Sequence, residues 1–563
     1  MEQETTQPDH RSGYCATTGT YHPLLRLDKG HQIPTHAHLD TASYVLSHFP
    51  HPDSADSHVA LIDSATGHRL TYFQIYVSTR SLAVGLARAL GVQKGDVVLL
   101  LSPNSLLYPT VCLAVLSVGA VLTTANPLCT ASEVARQARD ARAKLAITAA
   151  EEVHKLAATG VPTLLMARDG SGSLSVEELI EECDPCEAPE VRMTRSDTAA
   201  LLYSSGTTGV SKGVVLTHAN LIAIVTLLRW SCDVTGSRGD VYLGFLPMFH
   251  IYGLAFFALG LFCAGATTVV MPRFDFQAAL RAIERYQVTV LPAVPPVILG
   301  LVKTTGCDLS MLRQVGSGAA PLSRELAMEF RRKYPWVELR QGYGLTESSG
   351  AATFFVSSRD SKERPGSVGQ LIPETCARIV DVETGGCLPP GREGELWLKG
   401  PTVMSRYLGN EETTAATIVS DGWLRTGDLA YIDRDGFVYI VDRIKELIKH
   451  NGFQTVTNIS LNAYLKVAPA ELEAILLGHP QIRDATVIPI EDEKAGQIPM
   501  AYIVRADNEE ITEDQIIKYV AKQVAPYKKV RKVEFIDVIP RSAAGKILRK
   551  QLVVKNQQPT SKL

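Results

Sequence analysis

The chain has 563 residues, 45% of them hydrophobic, too many for one ordinary domain and too apolar for a disordered chain. A formal net charge of −3 excludes bulk attraction to nucleic acid or to an anionic membrane, so any anion site must be built locally. The 10 cysteines are scattered and Met1–Arg11 lacks an apolar stretch of signal-peptide type, so reduced thiols and no secretory leader are expected.

Val97–Leu101, Leu106–Val118 and Val121–Thr124 read as strand, helix and strand, the unit of a parallel sheet with crossover helices. Cys183 and Cys186 form a lone C-x-x-C with no second pair at zinc spacing, which argues against a metal or redox role. The apolar run Ala199–Leu202 leads into Tyr203-Ser204-Ser205-Gly206-Thr207-Thr208-Gly209-Val210-Ser211-Lys212-Gly213. Backbone N–H groups, hydroxyls and a lysine in such a loop can close around phosphate oxygens. It is not a Walker A loop: Ser211 stands where that motif has glycine, and Gly213 where it has Ser or Thr.

Farther on, His250 lies in the apolar run Pro247–Tyr252, where a lone histidine is ordinarily a core residue with its hydrogen bonds met. Ile251–Met271 is uncharged and long enough to cross a bilayer. Gly260, Gly265, Thr267 and Thr268 break it into a short helix and a strand, Thr267–Met271, which argues against a transmembrane segment. Val288–Leu291 and Ala377–Asp381 are further strands, and Asp435-Gly436 marks a hairpin between Ala430–Ile432 and Phe437–Val441. Pro469–His479 reads as a helix with Glu471 and Glu473 near its positive end. The chain closes on Ser561-Lys562-Leu563, a peroxisomal address for an import receptor, behind the polar stretch Asn556–Thr560.

Four more segments follow the hydroxyl-rich loop in order: Gly342-Tyr343-Gly344-Leu345-Thr346-Glu347, Thr426-Gly427-Asp428, Asp442–Lys449 and Pro540-Arg541-Ser542-Ala543-Ala544-Gly545-Lys546. Together the five closely resemble the adenylate-forming acyl-CoA synthetases, specifically the plant 4-coumarate:CoA ligase and ligase-like group. The resemblance runs from about Tyr44 to about Leu552. It implies an α/β fold: a large N-terminal domain, 41–442, of parallel-sheet α/β subdomains plus a distorted β-barrel part. A hinge at 443–446 and a small mobile α+β C-terminal domain, 447–552, would follow, with polar tails at 1–40 and 553–563.

The resemblance also implies two half-reactions. A carboxylate attacks the α-phosphorus of ATP, giving an acyl-adenylate and pyrophosphate, and coenzyme A thiolate then displaces AMP. The first step brings two anions together, so positive charge must sit where negative charge accumulates. By this resemblance Lys546 bridges the carboxylate and the α-phosphate, while Ser204, Ser205, Gly206, Thr207, Thr208, Gly209 and Lys212 clasp the β- and γ-phosphates. Thr346 would contact the α-phosphate, and Glu347 would hold Mg²⁺ together with phosphate oxygens and water. Asp428 would accept from the ribose hydroxyls with Arg443 assisting, and Gly318, Ala319, Gly342 and Tyr343 would line the adenine slot. His250 would position the carboxylate and govern thiol access. Lys449 and Gln454 would act after the small domain rotates about Lys445, and Gly452, with Lys445, would lie on the route of the coenzyme A arm.

Departures from the family bear on activity. Ala544 stands where a hydroxyl residue is frequent. Thr455–Lys466 separates Gly452-Phe453-Gln454 from Val467-Ala468-Pro469, which relatives join directly. Closure entropy tolerates such an insertion, whereas the geometry of thiol delivery is less forgiving, so intact adenylation with weakened thioester formation is expected. The acyl pocket is expected among Tyr252, Ala255, Phe256, Gly350 and Ala351, with Gly350-Ala351-Ala352 replacing the bulkier set of true 4-coumarate ligases. The expected protein is thus a peroxisomal ligase using ATP, Mg²⁺ and coenzyme A on fatty acids or cyclopentenone precursors of jasmonate. A hydroxycinnamate ligase, a luciferase-like oxidase and an adenylate-binding pseudoenzyme are the alternatives. Retention of Lys212, Glu347, Asp428, Arg443 and Lys546 argues against the last.

Overall fold

Val97–Leu101 is apolar at every position, as a strand buried on both faces of a parallel sheet must be. In the computed structural model it is such a strand. Leu107–Ser117 forms the crossover helix and Val121–Ala125 returns parallel, in register from Val97↔Val121 to Leu101↔Ala125. The structure describes residues 8–50, 57–204, 211–451, 464–492, 496–506, 509–542 and 545–557. The first seven-stranded sheet runs 406–407, 212–217, 198–204, 121–125, 97–101, 143–148 and 163–165, antiparallel only at its first two joins. The second runs 338–341, 314–317, 290–293, 241–244, 267–270, 59–63 and 69–71, parallel except for its last pair.

The helix His218–Val234 packs against the strands 198–204 and 212–217 and against the helical stretch Leu254–Ala264. Thr217 and Asn220 close its N-terminus with a reciprocal capping box. Leu221, Ile222, Ile224, Val225 and Leu227 are all buried, so the helix is internal rather than amphipathic. Each such side chain contributes roughly 1.5–3 kcal/mol on burial. Ile251–Met271 divides as its glycines require: left-handed Gly265 (φ +64) ends the helical part, and Thr267–Val270 is a strand. Among the described residues no helix is long and apolar enough to cross a membrane.

A third, antiparallel sheet corresponds to the barrel-like part: 14–15, 20–21, 376–380, 394–399, 423–432 and 418–419, with 438–443 joined to 423–432. It corrects the expected tail at 1–40. Tyr21 is fully buried, pairs with Ala377 and donates its hydroxyl to the Leu388 carbonyl at 3.0 Å. His31 bridges Asp28 and Asp233, fastening the same segment to the end of helix His218–Val234. Two-residue strands around a glycine turn leave no periodicity to find in sequence, which is why this segment reads as tail.

The C-terminal domain is built on a five-stranded sheet, 464–467, 448–451, 496–505 and 482–492, with 532–535 parallel to 496–505. It has its own apolar cluster, including Ile448, Leu472, Val487, Ile503 and Val533. The helix Pro469–Leu477 forms as expected, and Asp442 accepts from its Ala470 N–H at 3.1 Å. The insertion Thr455–Lys466 ends in regular structure. Tyr464–Val467 is a strand antiparallel to Ile448–Asn451, with Lys449 opposite Lys466. Residues 455–463 lie outside the described residues.

Candidate active site

Adjacent parallel strands end at Ser317 and Gln341, and the chain turns there through Gly318-Ala319 and Gly342-Tyr343. Four expected nucleotide residues therefore sit at the carboxyl ends of neighbouring strands, where open α/β sheets place their ligands. Gly344 is demanded by a crossing of the chain, since a Cβ there would collide with the carbonyl of Gly350. A cavity of about 1160 Å³ opens at these ends. Its walls include Ser204, Lys212, His250, Tyr252, Gly318, Tyr343, Thr346, Glu347, Asp428, Arg443, Lys445 and Lys546, so motifs far apart in sequence meet in one space.

At the phosphate-loop end, Ser204 and Lys212 are facing partners on antiparallel strands. The expected residues between them, Ser205, Gly206, Thr207, Thr208 and Gly209, lie outside the described residues. Lys212 Nζ stands 5.1 Å from the centroid of the Tyr407 ring, and the Tyr407 hydroxyl donates to Glu347 Oε1 at 2.9 Å. Tyr407 carries no motif, and sequence reasoning missed it. Among the described residues no cluster of three or more His, Cys, Asp or Glu could cage a metal. Glu347 alone suits Mg²⁺, which keeps most of its oxygens from phosphates and water.

Asp428 and Arg443 face each other across a strand pair, with Nε to Oδ1 at 3.6 Å, and the Tyr343 hydroxyl donates to the other Asp428 oxygen. Burial raises the Asp428 carboxyl above its ordinary value against the pull of Arg443 and Tyr343. Arg443 also approaches Glu446 at 3.7 Å, and Arg549 ties Glu446 to Glu473.

Lys546 enters the cavity from the C-terminal domain. Arg541 Nη2 reaches both Asp484 oxygens at 2.7 and 2.9 Å, the Ser542 N–H donates to the Lys546 carbonyl at 2.7 Å and the Lys546 N–H to Ser542 Oγ at 3.2 Å, and left-handed Gly545 packs against Val294 of the large domain. Burial, aided by nearby Arg443, lowers the Lys546 ammonium to about 8, with Glu446, Asp428 and Glu347 acting in the opposite direction. His250 is pushed down to about 4 by burial and by Lys546, so it is neutral at pH 7. Its Nδ1 accepts from the Tyr252 N–H at 3.3 Å, which leaves the proton on Nε2. The histidine is thus a neutral donor rather than a base.

Away from the phosphates the cavity extends as an apolar arm. One wall is a face of the helix His218–Val234: Ile224, Leu227, Leu228 and Ser231, at i, i+3, i+4 and i+7. The other is a strand face, Val290 and Pro292, Gln314 and Gly316, then Arg340. Expected pocket residues Tyr252, Ala255, Phe256, Gly350 and Ala351 line the same cavity, with Tyr252 and Phe256 edge to face at 5.8 Å. The helix and strand walls were missed: a helix buried all round shows no stripe, so its substrate face has no sequence signature. Lys445 is exposed, and Lys449 is described only as backbone in its strand; Gly452 and Gln454 lie outside the described residues.

Comparison with known proteins bears on the family and the fold. The model of the AMP-binding enzyme family matches residues 51–408, and that of the AMP-binding enzyme C-terminal domain matches residues 471–546. A probable CoA ligase of Humulus lupulus, CCL5, is 45% identical over 568 residues, covering 99% of this chain and 98% of its own length. The peroxisomal OPC-8:0-CoA ligase 1 of Arabidopsis thaliana is 44% identical over 560 residues, covering 96% of this chain and 97% of its own. The crystal structure of ATP-bound MatB from Rhodopseudomonas palustris superposes with a TM-score of 0.81 at 29% identity, over 93% of this chain and 100% of that one.

Proposed function

The chain belongs to the AMP-binding enzyme family and is an AMP-forming carboxylic acid:CoA ligase, and from that premise we propose that its acid is a fatty acid or a cyclopentenone precursor of jasmonate, activated in peroxisomes. The observation that carries this reading is the apolar arm. It runs past Gly316, where a Cβ would meet nothing nearer than Pro292 Cα at 4.0 Å, between Val290 and the Ile224–Ser231 helix face. An arm of this kind suits a flexible chain better than one planar phenol ring. The name of the Arabidopsis relative, a peroxisomal ligase, supports the compartment.

In this reading Lys546 carries its charge at pH 7 and stands between the acid's carboxylate and the α-phosphate, lowering the repulsion of the first step. His250 offers its Nε2–H to a carboxylate oxygen. Asp428 accepts from the ribose, oriented by Tyr343 and Arg443. Glu347, held by Tyr407, takes Mg²⁺, which neutralises phosphate charge when bound. Lys445, Lys449, Gly452 and Gln454 serve coenzyme A in the second step after rotation of the C-terminal domain.

The test is a pair of half-reaction assays on the purified chain, following pyrophosphate release and acyl-CoA separately with fatty, cyclopentenone and hydroxycinnamic acids. Higher kcat/KM for the first two classes than for hydroxycinnamates is expected. A preference for hydroxycinnamates would overturn the substrate assignment. Pyrophosphate without acyl-CoA would locate a defect in the thioester step.

A further inference from the structure

The acyl arm has one feature that a plain hydrocarbon does not need. Gln314 lies on the same strand face as Gly316, one pleat farther from the nucleotide, beside Val290. Its side chain lines the cavity, and no hydrogen bond joins its amide to another described residue. Two other polar groups of the arm have partners. Ser231 Oγ donates to the Leu228 carbonyl at 2.8 Å, and the Arg340 guanidinium is paired with Glu338 on its own strand through one terminal nitrogen, while its buried Nε has no hydrogen-bond partner among the described residues. An alkyl chain filling this arm would expel water from the amide and offer it nothing, which penalises such a substrate.

We propose that Gln314 reads a keto or hydroxyl oxygen carried on the distal part of the acid, so that the enzyme selects oxygenated medium-length chains over plain ones. This deepens the ligase reading above and rests on it. The amide both donates and accepts, so it serves a carbonyl or a hydroxyl equally. A second carboxylate would call for a free cation, and the one that lines this wall, Arg340, already has its charge balanced by Glu338. The distance is suitable: Gln314 stands four positions before Gly318 at the adenylate end, about 13 Å of extended strand. Only an acid of medium length or longer brings an oxygen that far.

The experiment uses the full chain and matched acids: an octanoic acid ending in a cyclopentanone and its cyclopentane counterpart, a keto and a plain dodecanoic acid, and a dicarboxylic acid. Acid-dependent pyrophosphate release gives kcat/KM for each in the wild type and in Gln314→Met, which keeps size and removes the amide. The wild type should favour each oxygenated acid by at least about tenfold, and the variant should erase that ratio chiefly by losing the oxygenated substrate. A wild type that favours the plain or dicarboxylic acid overturns the inference, even if the variant fails to fold. Equal changes for both members of a pair overturn it while leaving acid activation intact. Absence of pyrophosphate release with every acid, hydroxycinnamates included, removes the ligase reading itself and the inference with it.

Discussion

The two ends of the cavity are built on opposite plans. At the nucleotide end, Lys212, Glu347, Asp428, Arg443 and Lys546 come from five separate segments: two strand ends, one turn, one loop and, for Asp428, the middle of a strand beside left-handed Gly427. At the acyl end the walls are the faces of regular elements, the helix face Ile224–Ser231 and the strand face from Val290 to Arg340, and most of their groups are apolar. The difference separates two tasks. Charge handling is common to every acid, whereas the choice of acid depends on volume and on single polar groups within a packed surface. Changes at one end should therefore alter rate, and changes at the other should alter preference.

The largest effect is expected at Lys546. Lys546→Ala should slow acyl-adenylate formation on the order of 10²–10³-fold, as for loss of a preorganised group facing developing charge, and leave the ranking of acids unchanged. Pyrophosphate release across the acid panel measures both; a reordered ranking would break the division between the ends. The same lysine sets a pH limit. Its lowered value means the ammonium is lost as pH rises through about 8, so kcat/KM for adenylation should fall above that pH. Lys546→Arg should keep whatever activity it retains constant through that range.

Next comes Gly316. Its φ is not in the left-handed region and its Cβ direction is open, so Gly316→Leu should fold and fill the arm. For long acids kcat/KM should drop about 10–100-fold, while short acids and the KM for ATP stay unchanged. Loss of ATP affinity instead would mean that the ends are not independent.

How much of this was legible in the sequence follows the same division. Chemistry-bearing residues in glycine-rich loops announce themselves, because few other residues fit those backbones; Gly344 beside Gly350 is an example. The parallel units were also legible, since Val97–Leu101 is apolar at all positions. The acyl wall was not. Ile224 and Leu227 face the cavity, but Leu221 and Val225 are just as buried against protein, and hydropathy cannot tell them apart. The N-terminal strands escaped for want of length, and Tyr407 for want of a motif.

The insertion Thr455–Lys466 bears on the second half-reaction. Deleting Thr455–Lys466 leaves Val467 able to keep its partner Ile448, and puts Gln454 in the place of Lys466 opposite Lys449. Thioester formation should then rise by about tenfold or more, because small displacements of delivery groups carry large rate penalties. Pyrophosphate release should not change. Equal acyl-CoA yield before and after deletion would show that the insertion is accommodated as it stands.

The smallest expected effect is at Tyr407, and it probes how the nucleotide end is held together. Tyr407→Phe removes the hydroxyl that donates to Glu347 at 2.9 Å but keeps the ring under Lys212. If the hydroxyl serves to aim Glu347 at a metal, the Mg²⁺ concentration for half-maximal adenylation should rise about three- to tenfold, in line with the net contribution of one ordinary hydrogen bond. Acid preference should not move, and Tyr407→Leu should cost more, since the cation–ring contact is then lost as well. An unchanged Mg²⁺ requirement in Tyr407→Phe alongside a weakened Tyr407→Leu would assign the tyrosine to Lys212 alone, and would leave Glu347 oriented by its own turn, Thr346–Ser348.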